Sequence, residues 1–159
     1  MNIIVRQACV SDADAMAALL NDIIARGGTT AYRDAFNAQR IIATFISPQH
    51  RICCNCASEA DQILGFQALE WADPVWPGPY PLPADWAVIA TYVVPTRHRG
   101  GIGQKLFAAT LAAARASGVC QIDATIRLEN LGGRSYYSRL GFVDYRCSEE
   151  TVSKRFSVS

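Results

Sequence analysis

The sequence predicts a single α/β domain of the α+β kind, a mixed central sheet of about six to seven strands flanked by about four helices. Strand-like runs dominate both ends of the chain. Its middle reads strand, glycine loop, amphipathic helix, strand, from "AVIATYVV" to "VCQIDATI". The length, 159 residues, suffices for one sizeable core and favours no second, so the domain is expected to span residues 1–159.

The elements follow in order. Ile3 to Arg6 alternates weakly and reads as a first strand. Ser11 is the expected N-cap of the first helix, with Asp14 three residues on in a capping-box arrangement. That helix runs from about Asp12 to Ala25, with Ala15, Leu19 and Ile23 on one face, and "RGGTT" ends it. A second helix is predicted from about Asn37 to Ile46, with Ile41, Ile42 and Phe45 inward, stopped by Ser47 and Pro48. Ile52 to Ala57 and Ile63 to Glu70 form a hairpin joined by the polar turn "SEADQ". Trp71 to Trp86 holds five prolines and three tryptophans and has no regular structure. It reads either as a stiffened surface loop or as an aromatic wall over a substrate pocket.

Ala87 to Val94 is apolar on both faces and belongs in the middle of the sheet. A helix from Gln104 to Ser117 turns Leu106, Phe107, Thr110, Leu111 and Ala114 inward, and Gly118 closes it. After the strand "VCQIDATI", Asn130 to Leu140 reads as a short helix interrupted early by Gly132 and Gly133. "FVDYRC" and "VSKRFSV" make the final strand pair.

Composition excludes several function classes. Net charge is +1, with Lys and Arg scattered, which argues against a nucleic-acid partner. No apolar run reaches the ~18 to 20 residues of a membrane span, and the N-terminus lacks a signal-peptide pattern, so the expected compartment is the cytoplasm. The six cysteines contain no CxxC pair, and neither His50 nor His98 completes a metal pattern. They read as reduced, packed thiols, with Cys54 and Cys56 on one face of a strand and Cys53 on the other. A three-thiolate metal site is the weaker alternative, and no metal cofactor is expected.

The loop "PTRHRGGIGQKLF" carries the chemistry. A helix that opens after a glycine loop presents unpaired backbone N–H groups and about half a unit of positive charge, an anion site. Gly100, Gly101 and Gly103 leave room for phosphate oxygens, and Arg97 and Arg99 add charge. The spelling is not GxxxxGK[ST], because Gln104 and Lys105 follow Gly103. Nor is it GxGxxG, since Leu106 occupies the third glycine position.

The loop resembles motif A of the GCN5-related N-acetyltransferases, [QR]xxGx[GA], with Gly101 and Gly103 at the small positions and His98 where the family has Gln or Arg. "NLGGRSYYSRLGF" resembles the family's motif B, with Asn130, Tyr137, Gly141 and Phe142 in register. The resemblance covers roughly residues 87 to 145, and "NDIIARGGTTAY" looks loosely like the phosphinothricin and amino-acid acetyltransferase branch. It implies acetyl-CoA as co-substrate, held by the backbone of Tyr92, Val93 and Val94, by Arg99, Gly100, Gly101, Ile102, Gly103 and Gln104 of the loop, and by Asn130 and Tyr137. Tyr137 is the implied proton donor to the departing thiolate, and Tyr136 the packing neighbour. For Asn130, capping of its own helix is the competing reading.

Many family members place a Glu on the central strand, and "AVIATYVV" has no carboxylate. Glu70 and Asp85 are therefore the candidate bases, while Glu129 lies nearer the cofactor half. The expected function is acetyl transfer to a primary amine of a small molecule or amino acid, with a homodimer left open. A non-catalytic acyl-CoA sensor of the same fold is the alternative.

Overall fold

The protein is described by a computed structural model covering residues 2–97 and 100–159. Arg99 and His98, both named above, lie outside the described residues.

Seven strands form one sheet in the order β1-β2-β3-β4-β5-β7-β6. The strands are β1 (Ile4–Gln7), β2 (Arg51–Glu59), β3 (Gln62–Trp71), β4 (Trp86–Val93), β5 (Gln121–Arg127), β6 (Val143–Cys147) and β7 (Thr151–Ser157). The helices are α1 (Ala13–Arg26), α2 (Ala38–Ile41), α3 (Ile102–Ser117) and α4 (Leu131–Leu140). Among the described residues only β4 and β5 pair in parallel, joined by the α3 crossover. The expected mixed sheet and four helices are present.

Strand alternation sorts the side chains onto two faces. Cys54, Cys56 and Phe66 pack with Met16, Leu20, Ile23, Ile41 and Phe45 of the α1 and α2 region, with Ala68, Ala90 and Tyr92 beside them. Cys53, Leu69, Ala87, Ile89, Ile122, Ala124 and Ile126 pack on the other face with Phe107, Ala114, Tyr137 and Phe142. The cysteines thus divide between the faces as their spacing predicts, and all are free thiols. Burial pushes the Cys56 thiol up to about 11 and the Cys54 thiol to about 12.

Several local expectations need correction. The first capping arrangement is built on Cys9 and Asp12, not on Ser11 and Asp14: a 3-10 turn, Val10–Asp12, precedes α1, and Asp12 accepts from Cys9 N–H at 2.8 Å. Arg6 also grips Asp12 with both terminal guanidinium nitrogens, at 2.8 and 2.9 Å, which selects the earlier carboxylate. The second helix starts as predicted, with Asn37 accepting from Arg40 N–H at 2.8 Å, but widens to a π-helical turn over Ile42–Ile46. α3 opens at Ile102, two residues earlier than its periodicity suggested. α4 is unbroken by Gly132 and Gly133. A Cβ on Gly133 would meet Asn130 Nδ2 at 2.5 Å, so glycine there makes room for the cap.

Candidate active site

β4 and β5 pair only at Trp86–Gln121, Ala87–Ile122 and Val88–Asp123. β4 continues to Val93 and β5 to Arg127, so the ladder stops partway and leaves a fork at the centre of the sheet. α3 starts at the open end of the fork, and α4 packs over its α3 side.

The glycine loop forms the mouth. Pro95–Arg97 makes a 3-10 turn, and Gly101 takes a left-handed φ of 76° just before α3. Non-glycine residues resist that conformation. Among the described residues, its chain neighbours aside, nothing lies within 4 Å of where a Gly101 Cβ would sit. Among the described residues no side chain caps the helix, and its ladder there begins with Lys105 N–H to Gly101 O at 3.1 Å. The amides of Ile102, Gly103 and Gln104 therefore precede the ladder, which is the donor set an anion requires. Gly100 N–H bonds Arg97 O at 3.2 Å, and Arg97 pairs with Glu59 at 3.3 Å on the rim.

Gly103 has a different reason from the one its motif position suggests. A Cβ there would meet Tyr136 Cε1 at 2.5 Å, so the missing side chain admits a tyrosine ring from α4. Tyr136 then donates its hydroxyl to Gly103 O at 2.7 Å. The two motifs are joined directly at this contact.

Behind it lies a buried polar chain. Gln67, on β3, is 0% exposed. Thr110 on α3 donates to its Oε1. That fixes the amide so that its Nε2 faces Thr91 Oγ1 at 2.9 Å and the Tyr136 hydroxyl at 3.0 Å. Thr91 and Tyr137 share a hydroxyl contact at 2.8 Å. Gln67 and Thr110 have no sharp sequence signal, although a glutamine inside an otherwise apolar strand and a threonine on an inward helical face are hints. Tyr137 itself is 6% exposed, and burial holds its phenol well above the usual range. Burial raises Tyr136 to about 12.

The remaining predicted residues divide. Asn130 caps α4, accepting from Gly133 N–H at 2.9 Å, and its amide donates to Thr29 O at 3.2 Å, tying α4 to the segment after α1. Val94 N–H is given to Leu64 O at 2.8 Å, on the β3 side rather than the fork. Tyr92 turns its ring onto Phe45 and Phe66, on the α1 and α2 face. Glu70 pairs in register with Val88 and shares the face of Ala68 and Ala90, and burial raises its carboxyl. Asp85 is not brought here: it is exposed at the closed end, where its carbonyl accepts from Cys120 N–H at 2.8 Å. Glu129 pairs with Arg127 at 3.1 Å.

One carboxylate went unnoticed in the sequence. Asp123 sits opposite Val88 at the last rung before the fork and is 3% exposed. Tyr145 donates to its Oδ1, and Thr125 to its Oδ2 at 3.1 Å. The irregular segment between β3 and β4 reaches the same face, where Arg146 lies over the Tyr80 ring at 4.8 Å and the Tyr145 ring at 5.2 Å.

Among the described helices none is long and apolar enough to cross a membrane. The model of the acetyltransferase (GNAT) family matches residues 16–142. Solved structures share the fold along nearly the whole chain. An N-acetyltransferase from Staphylococcus aureus superposes with a TM-score of 0.83 at 20% identity, covering 100% of both chains. A putative acetyltransferase from Salmonella typhimurium, solved with acetyl-CoA, gives 0.80 at 15% identity over 99% of this chain and 94% of its own. A putative phosphinothricin N-acetyltransferase gives 0.79 at 17% identity over 99% of each. Comparison with curated protein sequences finds no match. With the family model spanning both motifs and the fork between them, this chain belongs to the acetyltransferase (GNAT) family.

Proposed function

We propose that this acetyltransferase moves the acetyl group of acetyl-CoA to the primary amine of a small molecule or amino acid. The observation that carries the reading is the uncapped first turn of α3, opening behind a left-handed Gly101 directly at the mouth of the β4–β5 fork. Its amides suit a diphosphate, and the site fits the co-substrate because, among the described residues, no side chain fills the space beside Gly101. Acetyl-CoA supplies a thioester carbon open to attack by an amine.

The protein's own groups divide the work. The backbone of Gly101 to Gln104 holds the diphosphate, with Gly100 shaping the turn and Arg99 adding charge. The β4 backbone at Tyr92 and Val93 runs along the acyl arm, while Val94, whose N–H goes to Leu64 O, takes no part, and Asn130 sets the start of α4 beside it. Tyr137 gives its proton to the departing thiolate. Gln67 has only N–H donors to offer Thr91, which leaves the Thr91 proton for the Tyr137 oxygen and the Tyr137 proton for the thiolate. A lysine-like amine, with a pKa of about 10.4, is mostly protonated at pH 7 and must lose a proton first. Glu70 is the predicted carboxylate that faces the acceptor side. Arg146, on that same face, suits an acceptor bearing a carboxylate, and the Tyr80 loop closes over it.

The experiment is a screen of the L-amino acids, phosphinothricin and simple alkyl amines, with acetyl-CoA as donor and free-thiol detection. Turnover of at least one small amine supports the reading. Acetyl-CoA binding with no thiol release from any of them overturns it.

A further inference from the structure

Val88, near the start of β4, lies at the root of the fork, and a carboxylate stands on each side of it in register: Glu70 on β3 and Asp123 on β5. Both share the face opposite Tyr137. They are not equivalent. The β3–β4 ladder runs on past Glu70 toward Gly65–Val93, so Glu70 is separated from the fork by the whole of β4. Asp123 is the last residue of β5 paired with β4 and stands at the fork itself.

The hydroxyls around Asp123 have a definite direction. An ionised carboxylate only accepts, so Tyr145 and Thr125 are both donors to it. Thr125 is exposed, two residues beyond the fork, and its oxygen also contacts Ser153 Oγ at 2.8 Å. With the Thr125 proton committed to Asp123, Ser153 must donate to Thr125. One Thr125 lone pair then remains, open to an N–H arriving from solvent.

Resting on the acetyl-transfer reading above, we propose that the Thr125 hydroxyl and the buried Asp123 carboxylate form the relay that deprotonates the acceptor ammonium, with Tyr145 positioning Asp123. The ammonium nitrogen gives one proton to Thr125 Oγ1 as the Thr125 proton passes to Asp123 Oδ2, and Asp123 later releases it to solvent. The nitrogen lone pair forms the N–C bond while the C–S bond breaks, Tyr137 protonates the thiolate, and the second nitrogen proton restores the phenol. Thr125 is the group that touches the amine. Asp123 acts through it.

Burial pushes the Asp123 carboxyl above its usual range, against the opposing pull of Tyr145, Thr125 and Arg146, and this moves its proton affinity toward the working pH. Its charged and titratable neighbours are Tyr145 and Arg146 of β6, Arg155 of β7 in register with it, Glu70 across Val88, and Tyr137 through the sheet. Because the relay needs the carboxylate ionised, kcat/KM should fall as the pH drops through this raised value.

The test uses the full chain with the amine of highest turnover among the L-amino acids, phosphinothricin and alkyl amines. Asp123→Asn and Thr125→Val should each lower kcat/KM at neutral pH about 100-fold or more. Acetyl-CoA affinity should stay within about threefold, Thr125→Ser should keep most activity, and the acid limb of the pH profile should vanish in Asp123→Asn. Should Asp123→Asn fail to fold, Thr125→Val against Thr125→Ser decides alone. Wild-type turnover with an unchanged acid limb in Asp123→Asn, or full activity in Thr125→Val, overturns the relay and leaves acetyl transfer standing. Acetyl-CoA binding without turnover of any amine by the wild type overturns both.

Discussion

The hydroxyls of Thr91 on β4 and Tyr137 on α4 lie 2.8 Å apart, so the strand that borders the fork and the helix that covers it meet through one hydroxyl–hydroxyl hydrogen bond. Tyr137 is buried in the α3 and α4 core, and its phenol stays protonated across the working range. Tyr137→Phe keeps the ring and removes the proton. It is expected to lower kcat at least about tenfold, with acetyl-CoA affinity within about threefold in a calorimetric titration. Unchanged kcat would remove Tyr137 from its assigned role.

Gln67 serves three hydroxyls from a fully buried position. Replacing it by Leu leaves Thr110, Thr91 and Tyr136 short of partners, at a cost of about 1–3 kcal/mol. The melting temperature should fall by about 2–4 °C per kcal/mol. Thermal unfolding of Gln67→Leu checks this, and a shift within error would show that the chain is not a structural requirement.

Gly103 and Tyr136 occupy one space. Gly103→Ala should displace the ring and weaken acetyl-CoA binding, whereas Gly103→Ala combined with Tyr136→Ala should recover binding relative to the single glycine variant. Such coupling between touching residues is typically about 0.5–3 kcal/mol. Additive losses in a double-mutant cycle would refute the shared-space account.

Asp12 is held well below its ordinary carboxylate value, first by the Arg6 guanidinium and also by Cys9 N–H. Its folded pKa lies below the unfolded one, so its stabilisation is present above the unfolded value of 3.8 and is lost as the pH falls through the folded value. Asp12→Asn should destabilise by about 1.5–3 kcal/mol at pH 7. The deficit should shrink below about pH 4. Urea unfolding at the two pH values measures it, and a deficit that grows in acid would contradict the sign.

Much of this fold is legible in the sequence because its strands and long helices carry strong periodicity, and because loop glycines and Asn130 punctuate α3 and α4. The start of α1 near Asp12 is legible, but its cap is not: Asp12, two residues before the expected Asp14, has an arginine partner on β1, which local capping rules cannot see. The sequence reads Gly103 as room for phosphate oxygens and Gly133 as an early interruption of its helix, whereas each also yields space to a specific side chain, Tyr136 and Asn130. The carboxylates divide for a similar reason. Glu70 could be placed beside the central strand from hairpin register, but Asp123 gains its position only where a parallel pair stops, which depends on the crossover through α3. Asp85 is close to β4 in sequence and at its wrong end in space.

The most direct test is a crystal structure of the full chain with acetyl-CoA. The diphosphate should sit within hydrogen-bond distance of the amides at the start of α3, around Gly101 to Gln104, with the acyl carbon in the β4–β5 fork beside Thr91. A diphosphate bound elsewhere, with this turn facing bulk water and the fork empty, would contradict the account.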